Sequence, residues 1–251
     1  MSTPIEKVIR RLQKSGRLRR LYQDAGQFFA PPSGPNPPAD LPARRQAAKR
    51  IHVGCGPKNI FPGWYNVDLR WFPGVDEALD VTRSWPFADL ERIYAEHFLE
   101  HLHLWDAVRF LERAGQSLGE GGKIRLSTPN LHWVWLTHFH TSGANDEVLV
   151  ADTLKSNRAF HGWGHQFLWS EAMLRLVLEG QGFTGLEFCA YGESQDPSLR
   201  DLERHGGYSV EGGQPSVVIV EATRGPRPIE TPPQLAARLE DEFGRFVKSG
   251  H

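Results

Sequence analysis

"IHVGCGPKNIFPGWYNVDL", residues 51–69, is the stretch whose reading decides the fold. It starts as an apolar strand, turns at Gly54 and Gly56, crosses a loop containing Pro57, Pro62 and Gly63, and ends a second strand on Asp68. A strand that ends in Gly-X-Gly lets the backbone approach a ligand closely, because no side chain stands in the way. A carboxylate at the end of the following strand can accept hydrogen bonds from both hydroxyls of a ribose. The full dinucleotide fingerprint wants a third glycine where this chain has Asn59, and a helix long enough to carry a pyrophosphate at its N-terminus. The connection to the second strand is too short and too rich in proline and glycine for that helix. A nicotinamide or flavin dinucleotide is therefore disfavoured, and an adenosyl ligand without phosphates fits better.

Outward from this stretch, strand and helix signals alternate. Strands are predicted at 50–54, 64–68, 76–80, 92–96, 122–128, 183–190 and 216–223. Helical periodicity covers 104–118 and 170–183, the latter opening on Ser170 as N-cap and stopping at Gly180 and Gly182. Such alternation argues for an α/β fold, a mostly parallel sheet with helices on both faces. Residues 130–169 interrupt the pattern with four tryptophans and five histidines. They leave the carboxyl end of a strand, where open α/β sheets bind ligands, so the insertion reads as a lid or substrate wall.

The expected organisation is a basic amphipathic helical extension over 1–30, a proline-rich linker over 31–47, one domain over 48–224 with its lid at 130–169, and a helical tail over 225–251. In the tail, Thr231 is the expected N-cap, with prolines in the first helical turn. The chain has 29 basic and 30 acidic residues. Its overall field gives no reason to expect nucleic acid. Residues 1–20 depart from this balance, with seven Lys or Arg, one Glu, and Ile5, Val8, Ile9 and Leu12 at helical spacing. That segment either packs on the domain or contacts an anionic membrane surface. No apolar run approaches the roughly 20 residues needed to span a bilayer, and no secretory signal is apparent. The two cysteines, Cys55 and Cys189, make no disulfide framework. A cytoplasmic protein, at most peripheral to the inner face of the membrane, is expected.

Five segments in order, "HVGCG", "NVDL", "LDVTRSWPFAD", "RIYAEHFLEHL" and "SLGEGGKIRLSTPN", resemble the class I S-adenosylmethionine-dependent methyltransferases over residues 50–223. More narrowly, "GPKNIFPGWYNVD" and "HFLEHL" are similar to a methyltransferase type 11-like branch of predicted bacterial methyltransferases of unassigned substrate. The resemblance implies a Rossmann-like seven-stranded sheet whose last strand is antiparallel, and S-adenosylmethionine as cosubstrate. It puts Gly54, Cys55 and Gly56 against the amino-acid part of that molecule, Asp68 on its ribose and Leu69 beside its adenine. Asp80 would accept from the adenine amino group, with Val81 next to it. The backbone at Glu96 and His97 would meet the methionine moiety. The chain departs from many relatives in having Glu91 where they have Asp, and in nearly lacking a helix after the first strand.

His97, Glu100 and His101 are all metal-ligating types at helical spacing. The resemblance equally places such a cluster as helix cap and pocket floor, and no metal is expected. Methyl transfer from a sulfonium needs an in-line acceptor and a dry site. A general base is needed only when a hydroxyl or protonated amine must lose its proton. His101, His161 and His165 are the candidates, since imidazole titrates near neutrality. Trp133, Trp135, Trp163 and Trp169 either stack on a sugar or aromatic acceptor or form a small core of their own. "STPN", residues 127–130, follows the fifth strand and lacks the order of the motif that DNA adenine methyltransferases carry after the fourth. The resulting expectation is methyl transfer to oxygen or nitrogen of a small molecule or glycan. The alternatives are a binding protein without catalysis, or an enzyme acting on RNA or protein.

Overall fold

The structure, a computed structural model, describes residues 38–140 and 144–248. The extension expected over 1–30 and most of the proline-rich segment lie outside the described residues. The first described helix, α1 (Leu41–Ala47), begins inside that segment, with Pro42 in its first turn, where a missing N–H costs nothing. Arg44 and Arg45 of α1 pair with Asp76 and Glu77.

The apolar runs become β1 (Arg50–Val53), β2 (Tyr65–Asp68), β3 (Glu77–Ala78) and β4 (Leu90–Glu96). Next come α2 (Leu104–Ser117), β5 (Leu118–Pro129), α3 (Leu131–His138), α4 (Asp146–His161) and α5 (Glu171–Gln181). The described residues finish with β6 (Phe183–Phe188), a hairpin of β7 (Val210–Glu211) and β8 (Gln214–Pro215), β9 (Val217–Arg224), α6 (Pro233–Leu239) and α7 (Arg245–Lys248). Seven strands form one sheet in the order β3-β2-β1-β4-β5-β9-β6. The first five run parallel to one another, while β9 enters between β5 and β6 and runs antiparallel to both. This is a Rossmann-like sheet flanked by helices, with every predicted strand present. Ser170 caps α5 by accepting from the Met173 N–H, and Gly182 ends it in the left-handed conformation that glycine tolerates.

Strand alternation divides the core in two. Ile51, Val53, Ile93, Ala95, Ile124 and Leu126 join the large cluster that includes Leu111, Leu174 and Leu178 of α2 and α5. On the opposite face His52 stacks on Phe61, with ring centroids 4.6 Å apart, and Tyr94 packs with Phe61, Trp64, Leu199 and Leu202. Phe61 and Trp64 sit on a loop, since the short run from Gly56 to β2 has no room for a helix, and Leu199 and Leu202 come from the segment after β6. Arg125 of β5 is 0% exposed. Its guanidinium donates to both carboxylate oxygens of Glu203 (2.8 and 3.0 Å), to Glu221 Oε1 (2.5 Å) and to the Glu193 carbonyl (2.9 Å). It thereby holds the 192–204 loop onto the sheet.

The insertion folds as two helices closed at the base, where the Leu131 N–H donates to the Trp169 carbonyl at 2.9 Å. Asn130 caps α3 and Asn145 caps α4. Val134, Ala159 and Leu168 form their small core, joined by Leu131 and Trp133. The tail differs from expectation at its cap. Pro232 occupies the N-cap position of α6, and Thr231 gives its backbone N–H (3.1 Å) and its hydroxyl to Glu112 of α2. The Thr231 hydroxyl oxygen, the atom that would cap the helix, accepts instead from Gln181 Nε2 at 3.0 Å. Among the described residues no helix is long and apolar enough to cross a membrane.

Arg125→Ala leaves buried Glu203 without a cation and Glu221 with only Lys123 at 3.8 Å, so urea denaturation is expected to show a loss of about 3–5 kcal/mol. An unchanged midpoint and slope would refute this account of the loop's attachment.

Candidate functional site

The carboxyl ends of β1, β2, β4 and β5 converge, and the residue types there are polar and glycine-rich. Gly54 and Gly56 have φ of 67° and 57°, a region costly for side chains. A Cβ on Gly54 would lie 2.8 Å from Phe98 Cδ2, whereas nothing lies within 4 Å of one on Gly56. The turn therefore packs on Phe98 at its first glycine and presents open backbone at its second. The N–H groups of Gly54 and Cys55 donate to the Val67 carbonyl at 2.9 and 3.3 Å. The Gly56 N–H donates to Asp68 Oδ2 at 2.9 Å, and the Arg70 N–H to Asp68 Oδ1 at 3.0 Å. Each Asp68 oxygen holds one protein donor and keeps a lone pair for another. Burial, and secondarily the Asp68 charge, push the Cys55 thiol up to about 12, so it stays protonated and inert.

Leu69 is half-buried beside Asp68. After β3, Asp80 Oδ1 accepts from the Thr82 N–H (3.0 Å) and hydroxyl (2.6 Å), and Oδ2 lies 3.3 Å from Arg83. Val81 is buried in the large core. At the end of β4, His97 has a left-handed backbone (φ 47°) and donates its N–H to the Ser127 carbonyl. Its Nδ1 lies 2.9 Å from Glu100 Oε1, and its ring stacks on His205 with centroids 3.9 Å apart. The Glu96 carboxylate accepts from the N–H groups of Arg204 and His205, all near 2.9–3.1 Å. The 192–204 loop is thus clamped against β4 as well as β5.

Glu100 is fully buried. Its second oxygen accepts from the Thr128 hydroxyl at 3.1 Å, and its carbonyl accepts from the N–H groups of Gln166 (2.6 Å) and Phe167 (3.3 Å). That backbone pairing brings His165 to His101, with ring centroids 5.2 Å apart. His165 Nδ1 donates to the Ala159 carbonyl at 2.8 Å, which leaves Nε2 as the basic nitrogen. His161 ends α4 exposed, with no side-chain contact to this pair. The metal-ligating cluster is consequently Glu100, His101 and His165, whose ligand atoms lie within 4.8 Å of one another, rather than His97, Glu100 and His101. With both Glu100 oxygens and His165 Nδ1 already engaged by protein groups, it is a weak cation site.

Full burial by itself pushes the Glu100 carboxyl up, but the bond from His97 and the charges of His97 and His101 outweigh it and hold the group below the usual carboxylate range. His101 is lowered, foremost by burial and further by His165, with the Glu100 charge opposing. His205 is lowered by burial and by His97. Of the lid tryptophans, Trp169 is wholly buried, Trp133 packs in the lid core, and Trp135 stacks on Phe139. Trp163 projects 70% exposed. Sequence reasoning overlooked His205 and the clamp at Glu96, whose signal is distributed over segments more than 100 residues apart. Concavities of about 380 Å³, beside Arg50 and Trp64 at the amino ends of β1 and β2, and 440 Å³, beside Cys189, contain none of these groups.

No family model matches the chain, and no curated protein does. Solved structures similar to it include a possible exported protein from Bordetella parapertussis, at 13% identity over 85% of each chain with a TM-score of 0.41. Another is the magnesium protoporphyrin IX methyltransferase of Synechocystis PCC 6803, at 12% identity over 88% of this chain and 100% of that one, TM-score 0.40. A SAM dependent methyltransferase from Archaeoglobus fulgidus shares 13% identity over 81% of this chain and 99% of its own, TM-score 0.43. Likeness of this degree says nothing of substrate or mechanism.

The His101 imidazole is expected to titrate by NMR below the ordinary histidine value of about 6.5. Because the Glu100 charge favours the imidazolium, Glu100→Gln should move that titration lower still. A shift upward, or none, would mean that the two groups are not electrostatically coupled.

Proposed function

We propose that the protein is an S-adenosylmethionine-dependent methyltransferase acting on oxygen or nitrogen of a small molecule or glycan. The observation that carries this reading is the Gly56–Asp68 pairing at the carboxyl end of the sheet. An open glycine backbone stands beside a carboxylate with lone pairs to spare for two ribose hydroxyls. The phosphate-free fit is supported by the absence of a long helix between β1 and β2. The residues that would hold the cosubstrate are Gly54, Cys55 and Gly56 at the amino-acid end, Asp68 and Leu69 at the ribose and adenine, Asp80 and Val81 at the adenine rim, and the backbone of His97. Of these, Asp80 would have to accept through lone pairs not used by Thr82 and Arg83, and Val81 would act by packing.

The cosubstrate supplies a methyl group on an already activated sulfonium. What remains for the chain is to orient the acceptor and exclude water, where good alignment is equivalent to about 10⁵–10⁸ M of effective concentration. His101 and His165 are the proposed proton acceptors for a hydroxyl, with Glu100 stabilising the imidazolium that forms. His161, exposed and apart from them, is a weaker candidate. The catalytic unit is proposed to span 48–224, with 1–30 and 31–47 as extensions. From the tail expected over 225–251, Leu235 and Leu239 of α6 join the main core. Peripheral membrane contact through residues 1–20 belongs to the same proposal. Binding to anionic vesicles that is unchanged after deletion of residues 1–30 would remove it.

Calorimetric titration with S-adenosylmethionine and S-adenosylhomocysteine tests the central claim. Micromolar binding is expected, weakened at least about fivefold in Asp68→Ala, which corresponds to about 1 kcal/mol. A folded protein that binds neither ligand would overturn it.

A further inference from the structure

The bonds from Gln166 and Phe167 to the Glu100 carbonyl fix the end of the lid over the buried carboxylate. From that anchor outward, His165 faces His101, and Trp163 lies with its ring 5.8 Å from His165. Trp163 is the most exposed large apolar side chain among the described residues. Its backbone is left-handed (φ 56°, ψ 11°), which a bulky residue seldom adopts without a compensating constraint. No burial of its own ring repays that strain. Arg158, one helical turn before the end of α4, holds its guanidinium 5.9 Å from the Trp163 ring centroid. It makes no ion pair among the described residues, so its planar fork is available to an anion. The other three lid tryptophans have closer ring partners, with centroids 4.7–5.4 Å apart, and are less exposed than Trp163.

We propose that Trp163 and Arg158, with His101 and His165 at the inner end, form the acceptor subsite, and that it takes a ring carrying a hydroxyl and a carboxylate. The ring stacks on Trp163, the carboxylate pairs with Arg158, and the hydroxyl faces the two imidazoles. The assignment of this ligand as methyl acceptor rests on the reading of the protein as a methyltransferase. The shared chemistry is met by a planar hydroxy acid or by a uronic acid, since both offer a flat or apolar ring face at that distance from a carboxylate.

Ligand-observed NMR titration of the S-adenosylhomocysteine-saturated full chain separates these. The probes are 4-hydroxybenzoate and methyl glucuronide, beside their uncharged counterparts phenol and methyl glucoside. Two variants accompany them: Trp163→Gly, which suits the left-handed backbone, and Arg158→Gln, on an exposed helical face. One acid is expected to bind, and its identity tells planar from saccharide acceptor. Its affinity should fall about fivefold or more in each variant and in the uncharged counterpart, the scale of one aromatic or charged contact. Binding of neither acid, or binding that both variants leave unchanged, overturns the subsite. If S-adenosylhomocysteine does not bind, the methyltransferase reading fails on its own. The same comparison on the ligand-free chain then decides the subsite.

Discussion

Arg125 sits in the middle of β5 with no access to water, and the fold is arranged to neutralise it. Two carboxylates from distant segments, Glu203 and Glu221, take four of its donor directions together with the Glu193 carbonyl, while Lys123 lies 3.8 Å from the remaining oxygen of Glu221. Taking such charges out of water is expensive, and the arrangement holds only because each is paired with good geometry. The consequence is positional. Once Glu203 is fixed, Arg204 and His205 follow it onto Glu96, and His205 onto His97. The wall beside the glycine turn therefore depends on a charge that is not itself part of the site.

Two electrostatic regimes lie side by side at the carboxyl ends of the strands. Around Asp68 the groups are backbone amides and a protonated thiol, an environment suited to hydroxyl and amine contacts. Around Glu100 a buried anion lies among imidazoles, of which burial lowers His101 and His205. The first regime offers fixed donors and acceptors, and the second offers groups of the kind that exchange protons. Phe98, packed on Gly54 and lying between the two in sequence, keeps an apolar element at their boundary.

Much of this was legible in the residues. Strand signals marked all seven sheet strands, and glycine with a following acid marked the turn, because both signals are local. The third strand is shorter than expected, since Asp76 and Leu79 extend the pairing with β2 by single backbone bonds outside the ladder. His161 and His165 are spaced to share a helical face, yet Gly162 and Gly164 end α4 between them and Trp163 reverses the backbone. Local propensity thus hid the fact that only one of the two meets His101. Arg125 in "KIRLSTP" reads as the solvent-facing position of a strand. Its true environment is set by partners 78 and 96 residues further along, which no window of the sequence contains.

The place of β9 has a bearing on how the chain can be made. In the main sheet β6 touches no strand except β9, which arrives nearly thirty residues later and slides between β5 and β6. A chain emerging from the ribosome as far as Phe188 carries a strand with no neighbour to accept it. It also carries a cationic β5 whose two counter-ions have yet to be synthesised. The sheet is complete only once β9 is in place, so β5 and β6 are joined only after the residues beyond 216 exist. Long-range closure of this kind is slow and exposes unpaired edges in the interval.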